Sequence, residues 1–309
     1  MNDKIIELLN LLAIQMKNDG QRFKNIAILR ALSTIKKYPK ELKTKEDVDN
    51  LKGLTGIGEG TMKRIKEIIK TGKLKELDNA KELFLIKELS SVSGIGDKNA
   101  QKLIDEYNIK SFDDFKKKVK SKKIQLTNAQ NIGLKYYEDL KHRIPRTEIT
   151  KIKKIIQNTI KKINPEINME IVGSYRRNKK NCGDIDVLFT HKKNYLNQIV
   201  NLLTEDGYLL EQISKGNKKY SGIIKLNEFG RRIDILFVEP DNYPAAILYF
   251  TGSGAHNQKM RAIAKSKGFK LNEYNLLDSD GNKIKVKSEE DIFNKLNMEY
   301  LPPQKREIK

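Results

Sequence analysis

Apolar residues recur at helical spacing in the first half of the chain and at strand-like spacing in much of the second half. The first two helical segments carry apolar stripes made of Ile5, Leu8, Leu9 and Leu12, then Phe23, Ile26, Ala27, Leu29 and Leu32. A period of three to four residues is typical of amphipathic helices that cover a core. We therefore expect a small helical bundle with both stripes inside it.

Strand-like patterns begin after a long amphipathic helix that is predicted over residues 146–163. Apolar or alternating runs predict strands at residues 169–172, 184–190, 208–213, 219–226 and 231–238. Further helices are predicted at residues 195–204, 245–250 and 255–267. The pattern therefore predicts an all-helical region over about residues 1–140, followed by an α+β region.

Two short segments of the helical region have the same form, in which an apolar residue and a small residue precede Gly-Ile-Gly. They are residues 54–58 and 92–96, and a basic amphipathic helix follows each of them. This arrangement is a helix-hairpin-helix pattern. Its glycines let backbone amides at a helix N-terminus approach a phosphate group, so binding does not depend on base sequence. We expect DNA contacts at Gly56, Gly58, Gly94 and Gly96.

The chain carries a large positive charge. Its 309 residues include 61 Lys and Arg against 40 Asp and Glu, a formal net charge of +21, and its pI is near 9.6. This excess predicts a polyanionic partner, nucleic acid rather than a membrane. No apolar run approaches the length of a membrane span, and the first residues show no signal-peptide pattern.

The single Cys182 excludes an intrachain disulfide and suits a reducing, intracellular compartment. The sequence does not distinguish nucleus, cytoplasm and association with a virus. Cys182 stands in a predicted loop before Gly183, and we expect no chemical role for it. The three histidines show no metal-ligand spacing, so we expect surface or backbone-contacting positions for His142, His191 and His256.

Asp184 and Asp186 lie two residues apart in a run that alternates acidic and apolar residues. In a β-strand this spacing puts both carboxylates on one face, while Ile185 and Val187 face the core. Neighbouring carboxylates repel each other, and a divalent cation between them would remove that repulsion. The alternative is a half-buried strand with solvated acids. The segment Gly173-Ser174-Tyr175-Arg176-Arg177 favours a metal site, because a glycine turn, a hydroxyl and a guanidinium all suit a phosphate.

A third carboxylate is available in a second strand-like run, residues 231–238. There Asp234 shares a face with Arg232, opposite the apolar residues of the run. If this strand lies beside the first, Asp234 joins the earlier pair. Three acids that hold two Mg²⁺ ions are the apparatus of in-line phosphoryl transfer, in which positioning and charge neutralisation supply most of the catalysis. The sequence therefore predicts catalytic and metal-binding roles for Asp184, Asp186 and Asp234.

These motifs resemble those of the family X DNA polymerases. The similarity rests on residues 173–177, 183–188 (GDIDVL), 231–235 (RRIDI) and 249–253 (YFTGS), and it extends over essentially the whole chain in the same order. It implies a multidomain protein in which an all-α helix-hairpin-helix region precedes an α+β nucleotidyltransferase palm and a closing subdomain. The implied domains are a lyase-like helical domain with the first hairpin (1–80), a DNA-binding subdomain with the second hairpin (81–143), the palm (144–240) and a nucleotide-selecting subdomain (241–309).

The resemblance also implies roles for individual residues. Asp184 and Asp186 would bind both metal ions, Mg²⁺ with Mn²⁺ able to substitute, and Asp234 would bind the catalytic metal and activate the primer 3′-hydroxyl. The nucleotide would be bound by Arg143, Gly173, Ser174, Arg177, Gly183, Tyr249, Phe250, Gly252 and Asn257. Further DNA contacts would come from Lys219, Arg232 and Arg261. A monovalent cation would bind the carbonyls of each hairpin, at Lys52, Leu54 and Ile57 and at Ser90, Val92 and Ile95.

The implied activity is template-directed DNA synthesis that fills short gaps during repair, including base excision repair. A monomer would act on gapped or nicked double-stranded DNA and add deoxynucleoside triphosphates (dNTPs) to a primer 3′-hydroxyl. A template-independent nucleotidyltransferase is the alternative within the family, and Tyr249-Phe250 and the short connection at residues 226–231 speak against it. A non-catalytic scaffold that binds DNA ends is a second alternative, and the presence of all three aspartates speaks against it.

Three positions depart from the family pattern. Gly254 stands where the family often has a larger residue that contacts the nucleotide. Arg64 stands where the family's lyase nucleophile is a lysine, and a guanidinium stays protonated and cannot form a Schiff base. Lys63 is adjacent but points about 100° away on a helix. Deoxyribose-phosphate lyase activity is therefore expected to be weak or absent. Leu236 replaces an arginine that pairs with a metal-binding aspartate in the open form, so we expect that switch to differ.

Overall fold

The computed structural model describes residues 2–77 and 80–307. The chain divides into two compact units, residues 1–134 and residues 135–309. None of the helices in the described ranges combines the length and the apolar character that crossing a bilayer would need.

The first unit is built from helices, as the periodicity predicts. Its helices are α1 (Asn2–Asn18), α2 (Arg22–Lys37), α3 (Lys45–Asp49), α4 (Glu59–Thr71), α5 (Ala80–Ser90), α6 (Asp97–Tyr107), α7 (Phe112–Lys120) and α8 (Asn128–Lys135). Helix α1 packs against α2, α4 and α5. The stripe predicted for α1 is confirmed, because Ile5, Leu8, Leu9 and Leu12 are all buried.

The apolar stripe predicted for α2 is wrong in part. Phe23 is 88% exposed and Leu29 is 49% exposed, and Ala27 is exposed as well. The buried face of α2 is formed by Ile28, Ala31, Leu32 and Ile35. Both faces satisfy helical spacing, so periodicity alone could not choose between them. Packing against α1 makes the choice.

The second unit combines helices with a mixed sheet. Its elements are α9 (Tyr137–Lys141), β1 (Ile144–Pro145), α10 (Arg146–Ile163), β2 (Asn168–Ile171), α11 (Gly173–Arg176), β3 (Asn181–Cys182), β4 (Ile185–Thr190), α12 (Leu196–Glu205), β5 (Leu209–Lys215), β6 (Lys219–Lys225), β7 (Gly230–Val238), α13 (Tyr243–Thr251), α14 (Gly254–Ser266), β8 (Lys270–Leu271), β9 (Leu276–Leu277) and α15 (Glu289–Lys295), with short 3₁₀ turns at Pro240–Asn242 and Pro303–Lys305. The strands and helices predicted after residue 145 are all present, with ends shifted by at most two residues. The predicted fold class, a helical region followed by an α+β region, is confirmed.

The main sheet has the strand order β2-β4-β7-β6-β5. Strands β4 and β7 run parallel near its centre, and the other neighbours are antiparallel. One face of the sheet shares a core with α10 and α12. On the other face, Leu188 and Leu236 pack with Ala246 and Ile247 of α13. Because β4 and β7 are buried on both faces, their register is strongly specified, and so are the positions of their polar residues.

A smaller core joins α13, α14 and α15. His256 of α14 lies beside it and is 2% exposed, with its ring centroid 5.9 Å from that of Phe293. The expectation that His256 lies at the surface is therefore wrong. Burial lowers the pKa of His256 to about 4, so the ring is neutral at neutral pH. His142 is exposed and His191 accepts a hydrogen bond from the Lys193 backbone, as expected.

Candidate active site and nucleic-acid interface

The two predicted acidic runs lie side by side in the sheet. The parallel register of β4 and β7 puts Asp186 directly opposite Asp234, and Asp184 comes one residue before β4 begins. Asp234 is 8% exposed, whereas the Asp184 side chain is 38% exposed. The three carboxylates therefore form one cluster that is open to solvent on the Asp184 side.

Basic and hydroxyl side chains lie against these carboxylates. Arg232 Nη2 donates to Asp184 Oδ2 at 3.2 Å and to Asp234 Oδ2 at 3.4 Å. Lys219 Nζ is 3.5 Å from Asp234 Oδ2, and Ser221 Oγ donates to Asp234 Oδ1. The sequence predicts DNA contacts for Lys219 and Arg232, and the structure places both cations at the acidic cluster. Their role toward DNA stays a prediction.

The electrostatics of Asp186 reflect this crowding. Burial, followed by the charges of Asp184 and Asp234, raises the pKa of Asp186 to about 7, although Arg232 and Lys219 oppose the rise. The repulsion that remains among the carboxylate oxygens fits a divalent cation, because hard cations prefer oxygen ligands. In the arrangement seen here, no three His, Cys, Asp or Glu side chains of the described residues could hold a metal ion. A bound ion would therefore require the carboxylates to adopt other positions.

A glycine turn approaches Asp186 from the preceding segment. Helix α11 begins at Gly173, which has φ of +58°, and the Val172 N–H donates to the Asp186 carbonyl at 2.8 Å. A Cβ at residue 173 would lie 2.4 Å from Asp186 Oδ2. Only glycine fits this position without displacing the carboxylate. The fold thus brings Gly173 and the adjacent Ser174 beside the acidic cluster.

Arg143 lies against Gly183 at the end of β3. Its Nη2 donates to the Asn181 carbonyl at 3.1 Å, and a Cβ at residue 183 would lie 3.0 Å from Arg143 Nη1. Two residues predicted to bind the triphosphate therefore meet, although they come from distant parts of the sequence. Cys182, which the sequence analysis put in a loop, belongs to β3 and is buried.

Arg177 connects the glycine turn to the YFTGS segment. Its Nη1 donates to the Thr251 carbonyl at 2.6 Å. A Cβ at residue 252 would lie 3.2 Å from the same nitrogen, and Gly252 has φ of +69°. The predicted nucleotide-binding residues Arg177 and Gly252 are thus in direct contact.

Tyr249, Asn257 and Arg261 line one pocket between α13 and α14. Asn257 Nδ2 donates to the Tyr249 carbonyl at 2.7 Å, which fixes the amide group in the pocket wall. The rings of Tyr249 and Phe250 meet edge to face with their centroids 5.2 Å apart. Phe250 also packs against the apolar cluster on the α13 side of the sheet. The structure brings together three predicted nucleotide-binding residues and the predicted DNA contact Arg261, with Phe250 serving partly as core.

The two hairpins of the first unit have the same backbone geometry. Gly56 and Gly94 have φ of +81° and +88°. Gly58 and Gly96 are the N-cap residues of α4 and α6, and neither helix start receives a side-chain cap. The first amides of each helix are therefore left for an external acceptor, and the helix dipole favours an anion there. A DNA phosphate group would satisfy both conditions.

Close backbone packing holds each hairpin against a neighbouring helix. A Cβ at residue 56 would lie 2.9 Å from Arg30 of α2, and one at residue 94 would lie 3.2 Å from Ala129 of α8. Gly133 of α8, which no sequence pattern revealed, makes the tightest of these contacts, because a Cβ there would lie 1.9 Å from the Ser93 carbonyl oxygen. The residues predicted to hold monovalent cations lie in these hairpin segments or two residues before them, and that role stays a prediction.

Four protein-family models match the chain in succession. A helix-hairpin-helix domain model matches residues 1–74, and the fingers domain of DNA polymerase lambda matches residues 87–141. The DNA polymerase beta palm matches residues 143–240, and the DNA polymerase beta thumb matches residues 246–307. One hairpin falls in each of the first two matches, and the acidic cluster falls in the palm.

Relatives extend the similarity over the whole chain. DNA polymerase lambda of Arabidopsis thaliana is 30% identical, over 100% of this chain and 62% of its own length. DNA polymerase lambda of Rattus norvegicus is 30% identical, over 99% of this chain and 56% of its own length. The chain belongs to the family X DNA polymerases. A further relative, DNA nucleotidylexotransferase of Xenopus laevis, is 27% identical over 92% of this chain and 64% of its own length.

This family X chain thus spans between 56% and 64% of the length of these relatives. Its motifs most resemble polymerase beta, the name that the palm and thumb models carry. The fingers model and the Arabidopsis and rat relatives carry the name DNA polymerase lambda.

The resemblance aligns Arg64 with the family's lyase lysine, and in the structure this arginine is ion-paired. Arg64 of α4 donates to Glu76 Oε2 from Nε at 3.0 Å and from Nη2 at 2.8 Å. Lys63 is exposed on the same helix. The bidentate pair fixes the guanidinium and presents no amine at this position.

A buried ion pair next to the acidic cluster was not predicted from the sequence. Arg231 donates to Glu148 of α10 at 2.8 and 2.9 Å and to the His142 carbonyl at 3.1 Å. The pair anchors β7 immediately before Arg232 and Asp234. The sequence shows two adjacent arginines, Arg231 and Arg232, but no pattern in it identifies the partner of Arg231, which lies 83 residues away.

A second buried network, also missed, surrounds Glu289. Arg176 donates to Glu289 at 2.7 and 3.0 Å and to Thr251 Oγ1 at 2.8 Å. Arg306 is fully buried and donates to the same carboxylate. Burial acts to raise the pKa of Glu289, but the two guanidinium groups outweigh it and hold that pKa below its ordinary value. The network ties the glycine turn to the ends of α13 and α15.

Proposed function

We propose that this chain is a template-directed DNA polymerase that fills short gaps during DNA repair. The observation that carries the proposal is the cluster of Asp184, Asp186 and Asp234, which the pairing of β4 and β7 assembles beside Gly173. Two relatives that match the whole chain or nearly all of it are DNA polymerases. Family X polymerases depend on divalent metal ions, and a set of carboxylates suits that requirement.

The acidic cluster is the proposed metal centre. Two Mg²⁺ ions held by the three carboxylates would lower the pKa of the primer 3′-hydroxyl and neutralise charge on the triphosphate. The chain's own groups position the substrates. Gly173 lets the glycine turn lie directly against Asp186, and Arg143 and Arg177 supply guanidinium forks for the triphosphate. Asn257 would meet the edge of the incoming base.

We propose that Arg232 and Lys219 change partners when metal ions bind. In the structure they neutralise Asp184 and Asp234. Divalent ions at the same carboxylates would leave the two cations without their present partners, and they would then be free to contact DNA phosphates. This exchange reconciles their predicted DNA contacts with the positions observed.

The first unit is proposed to hold gapped or nicked DNA without reading its sequence, through the uncapped helix starts at Gly58 and Gly96. Monovalent cations at the hairpin carbonyls would support that contact. A Schiff base requires an amine that can lose its proton, and Arg64 is a guanidinium paired with Glu76. We therefore propose that the unit grips DNA and lacks substantial deoxyribose-phosphate lyase activity.

One assay tests these proposals together. Primer extension with Mg²⁺ and dNTPs is followed on a one-nucleotide gap that carries a labelled 5′-deoxyribose phosphate, and borohydride is added to trap any imine. We expect efficient extension and little trapping. Asp234→Asn should lower extension by at least about a thousandfold, because it removes a charge from the proposed metal centre, while DNA binding changes less than about threefold.

The exposed Asp241 provides the matched control, since Asp241→Asn makes the same chemical change away from the cluster. Extension by Asp234→Asn within tenfold of the unmodified chain would refute the proposed metal centre. Efficient borohydride trapping that disappears in Lys63→Ala would show that the lyase nucleophile has moved by one residue.

Template-independent transfer is the second candidate, and the similarity to DNA nucleotidylexotransferase favours it. The connection between β6 and β7 runs only from Lys225 to Gly230, which leaves little chain to take the place of a template strand. A single-stranded primer in the same assay separates the two. Extension of that primer at the rate seen on gapped DNA would support the second candidate.

A further inference from the structure

Arg177 is held on two sides by groups that leave part of its guanidinium free. Nε donates to Glu307 Oε1 at 2.6 Å, and Nη1 donates to the Thr251 carbonyl at 2.6 Å. A guanidinium has five N–H donors. Nη2 makes no hydrogen bond to another residue that the structure describes, and Nη1 keeps a second hydrogen. The end of the fork, Nη1 with Nη2, is the edge that binds a phosphate in bidentate fashion.

Glu307 is well placed to hold this orientation. Its other carboxylate oxygen, Oε2, lies 3.4 Å from Lys179 Nζ. Burial acts to raise the pKa of Glu307, but its hydrogen bond with Arg177 and the charges of Arg177 and Lys179 outweigh burial and lower it. Glu307 therefore stays ionised at neutral pH, and it occupies the Nε side of Arg177 rather than the end of the fork.

The backbone before Glu307 is itself fixed. The preceding residue, Arg306, has its side chain buried against Glu289, and its Nε donates to the Leu301 carbonyl at 2.7 Å. Ser253 Oγ donates to the Arg306 carbonyl at 2.8 Å. The carboxylate of Glu307 is thus presented from a rigid segment that also contacts the YFTGS turn.

We infer that Glu307 is a positioning residue for nucleotide binding, which holds the Arg177 guanidinium with its open edge toward the triphosphate of an incoming dNTP. The inference rests on the proposed polymerase function. Without the carboxylate, the arginine side chain would sample other rotamers, and each binding event would have to order it again. The loss should therefore appear in the affinity for the triphosphate and not in the chemical step at saturation.

The test measures triphosphate binding without chemistry. The full chain is assembled on gapped DNA whose primer ends in a dideoxynucleotide, and the matching dNTP is titrated with Mg²⁺ while fluorescence reports the ternary complex. Glu307→Gln keeps the shape and removes the charge. We expect its Kd for dNTP to rise about five- to tenfold, with a comparable rise in KM and with kcat within about twofold on an extendable primer.

Glu299→Gln is the matched control, because Glu299 is exposed and forms no ion pair with another described residue. It should leave Kd and KM unchanged. A Kd for Glu307→Gln within twofold of the unmodified chain, or lower than it, would overturn the inference, and so would an equal rise in the Glu299→Gln control. A fall in kcat with unchanged Kd would overturn it as well. Failure of the unmodified chain to extend an ordinary primer would refute the polymerase function separately, because the Kd titration does not need extension.

Discussion

At the scale of single residues, glycine controls how closely the backbone approaches the charged groups of the second unit. Gly173, Gly183 and Gly252 come from three separate segments, and a Cβ at each would lie 2.4, 3.0 and 3.2 Å from a carboxylate or guanidinium atom. Any larger residue would have to displace Asp186, Arg143 or Arg177. The three glycines thus let the backbone lie close to these charged side chains.

Gly173 offers the sharpest test of this point. We expect Gly173→Ala to lower primer extension by roughly a hundredfold, because the new Cβ must push the Asp186 carboxylate aside and small misplacements of catalytic groups are costly. Gly207 is the matched control, since its φ of +76° is also left-handed but nothing lies within 4 Å of its Cβ position. Each alanine carries a backbone cost of about 1–2 kcal/mol. Primer extension and thermal unfolding of both variants separate a loss of activity from a loss of stability. Equal losses of primer extension in Gly173→Ala and Gly207→Ala would contradict the role of Gly173 in leaving the Asp186 carboxylate in place.

At the scale of elements, the second hairpin and α8 form a single packed unit. Gly94 of the hairpin lies against Ala129 of α8, and Gly133 of α8 lies against the Ser93 carbonyl of the hairpin, so that neither position has room for a Cβ unless its neighbour moves. Gln130 Nε2 reaches Asn99 Oδ1 at 3.0 Å. The first hairpin packs on α2 in a similar way through Gly56. Each repeat therefore depends on a helix from outside the repeated sequence, and this explains why the motif alone did not reveal Gly133.

The direction in which Gly133→Ala changes the free energy of unfolding tests that packing. Alanine favours an isolated helix by about 1 kcal/mol over glycine, yet we expect Gly133→Ala to destabilise the first unit by about 1–3 kcal/mol. Its Cβ would collide with the Ser93 backbone, which cannot move without shifting the hairpin. A Cβ at residue 60 of α4 would meet only the flexible Arg64 side chain, at 3.3 Å. Gly60→Ala should therefore be neutral or stabilising. Thermal unfolding followed by circular dichroism gives both values, and a Gly133→Ala variant as stable as Gly60→Ala would rule out the close contact.

At the scale of the whole chain, element order and the acidic cluster could be predicted from local sequence, but the ion pairs around the cluster could not. Two strand patterns with one acid motif each were enough to predict that Asp234 joins Asp186. Glu289 and Glu307 bind arginines 113 and 130 residues away. With 40 acidic residues in the chain, no spacing rule selects those partners. The buried face of α2 was ambiguous for a related reason, since tertiary packing chose between two helical stripes.

The net charge of +21 is also a property of the whole chain. Some cations are neutralised within the fold, as Arg231 is by Glu148 and Arg64 is by Glu76. Others are exposed near helix starts, such as Lys98 in the first turn of α6. Only exposed cations can exchange their counterions for DNA phosphates, so the number of phosphates bound should be far smaller than the net charge.

We expect DNA binding to be strongly salt-dependent and nearly independent of base sequence. Lys98 beside the second hairpin, with Lys219, Arg232 and Arg261, would neutralise about four phosphates, which gives a slope of about −3 to −4 for log K against log salt. Lys98→Gln should make the slope shallower by about 1, because it removes one phosphate contact beside the second hairpin. Lys295→Gln makes the same change on the exposed end of α15 and should leave the slope unaltered. Titrations of gapped duplexes of unrelated sequence at several salt concentrations supply these slopes, and either a shallow slope or a strong preference for one sequence would contradict phosphate-directed binding.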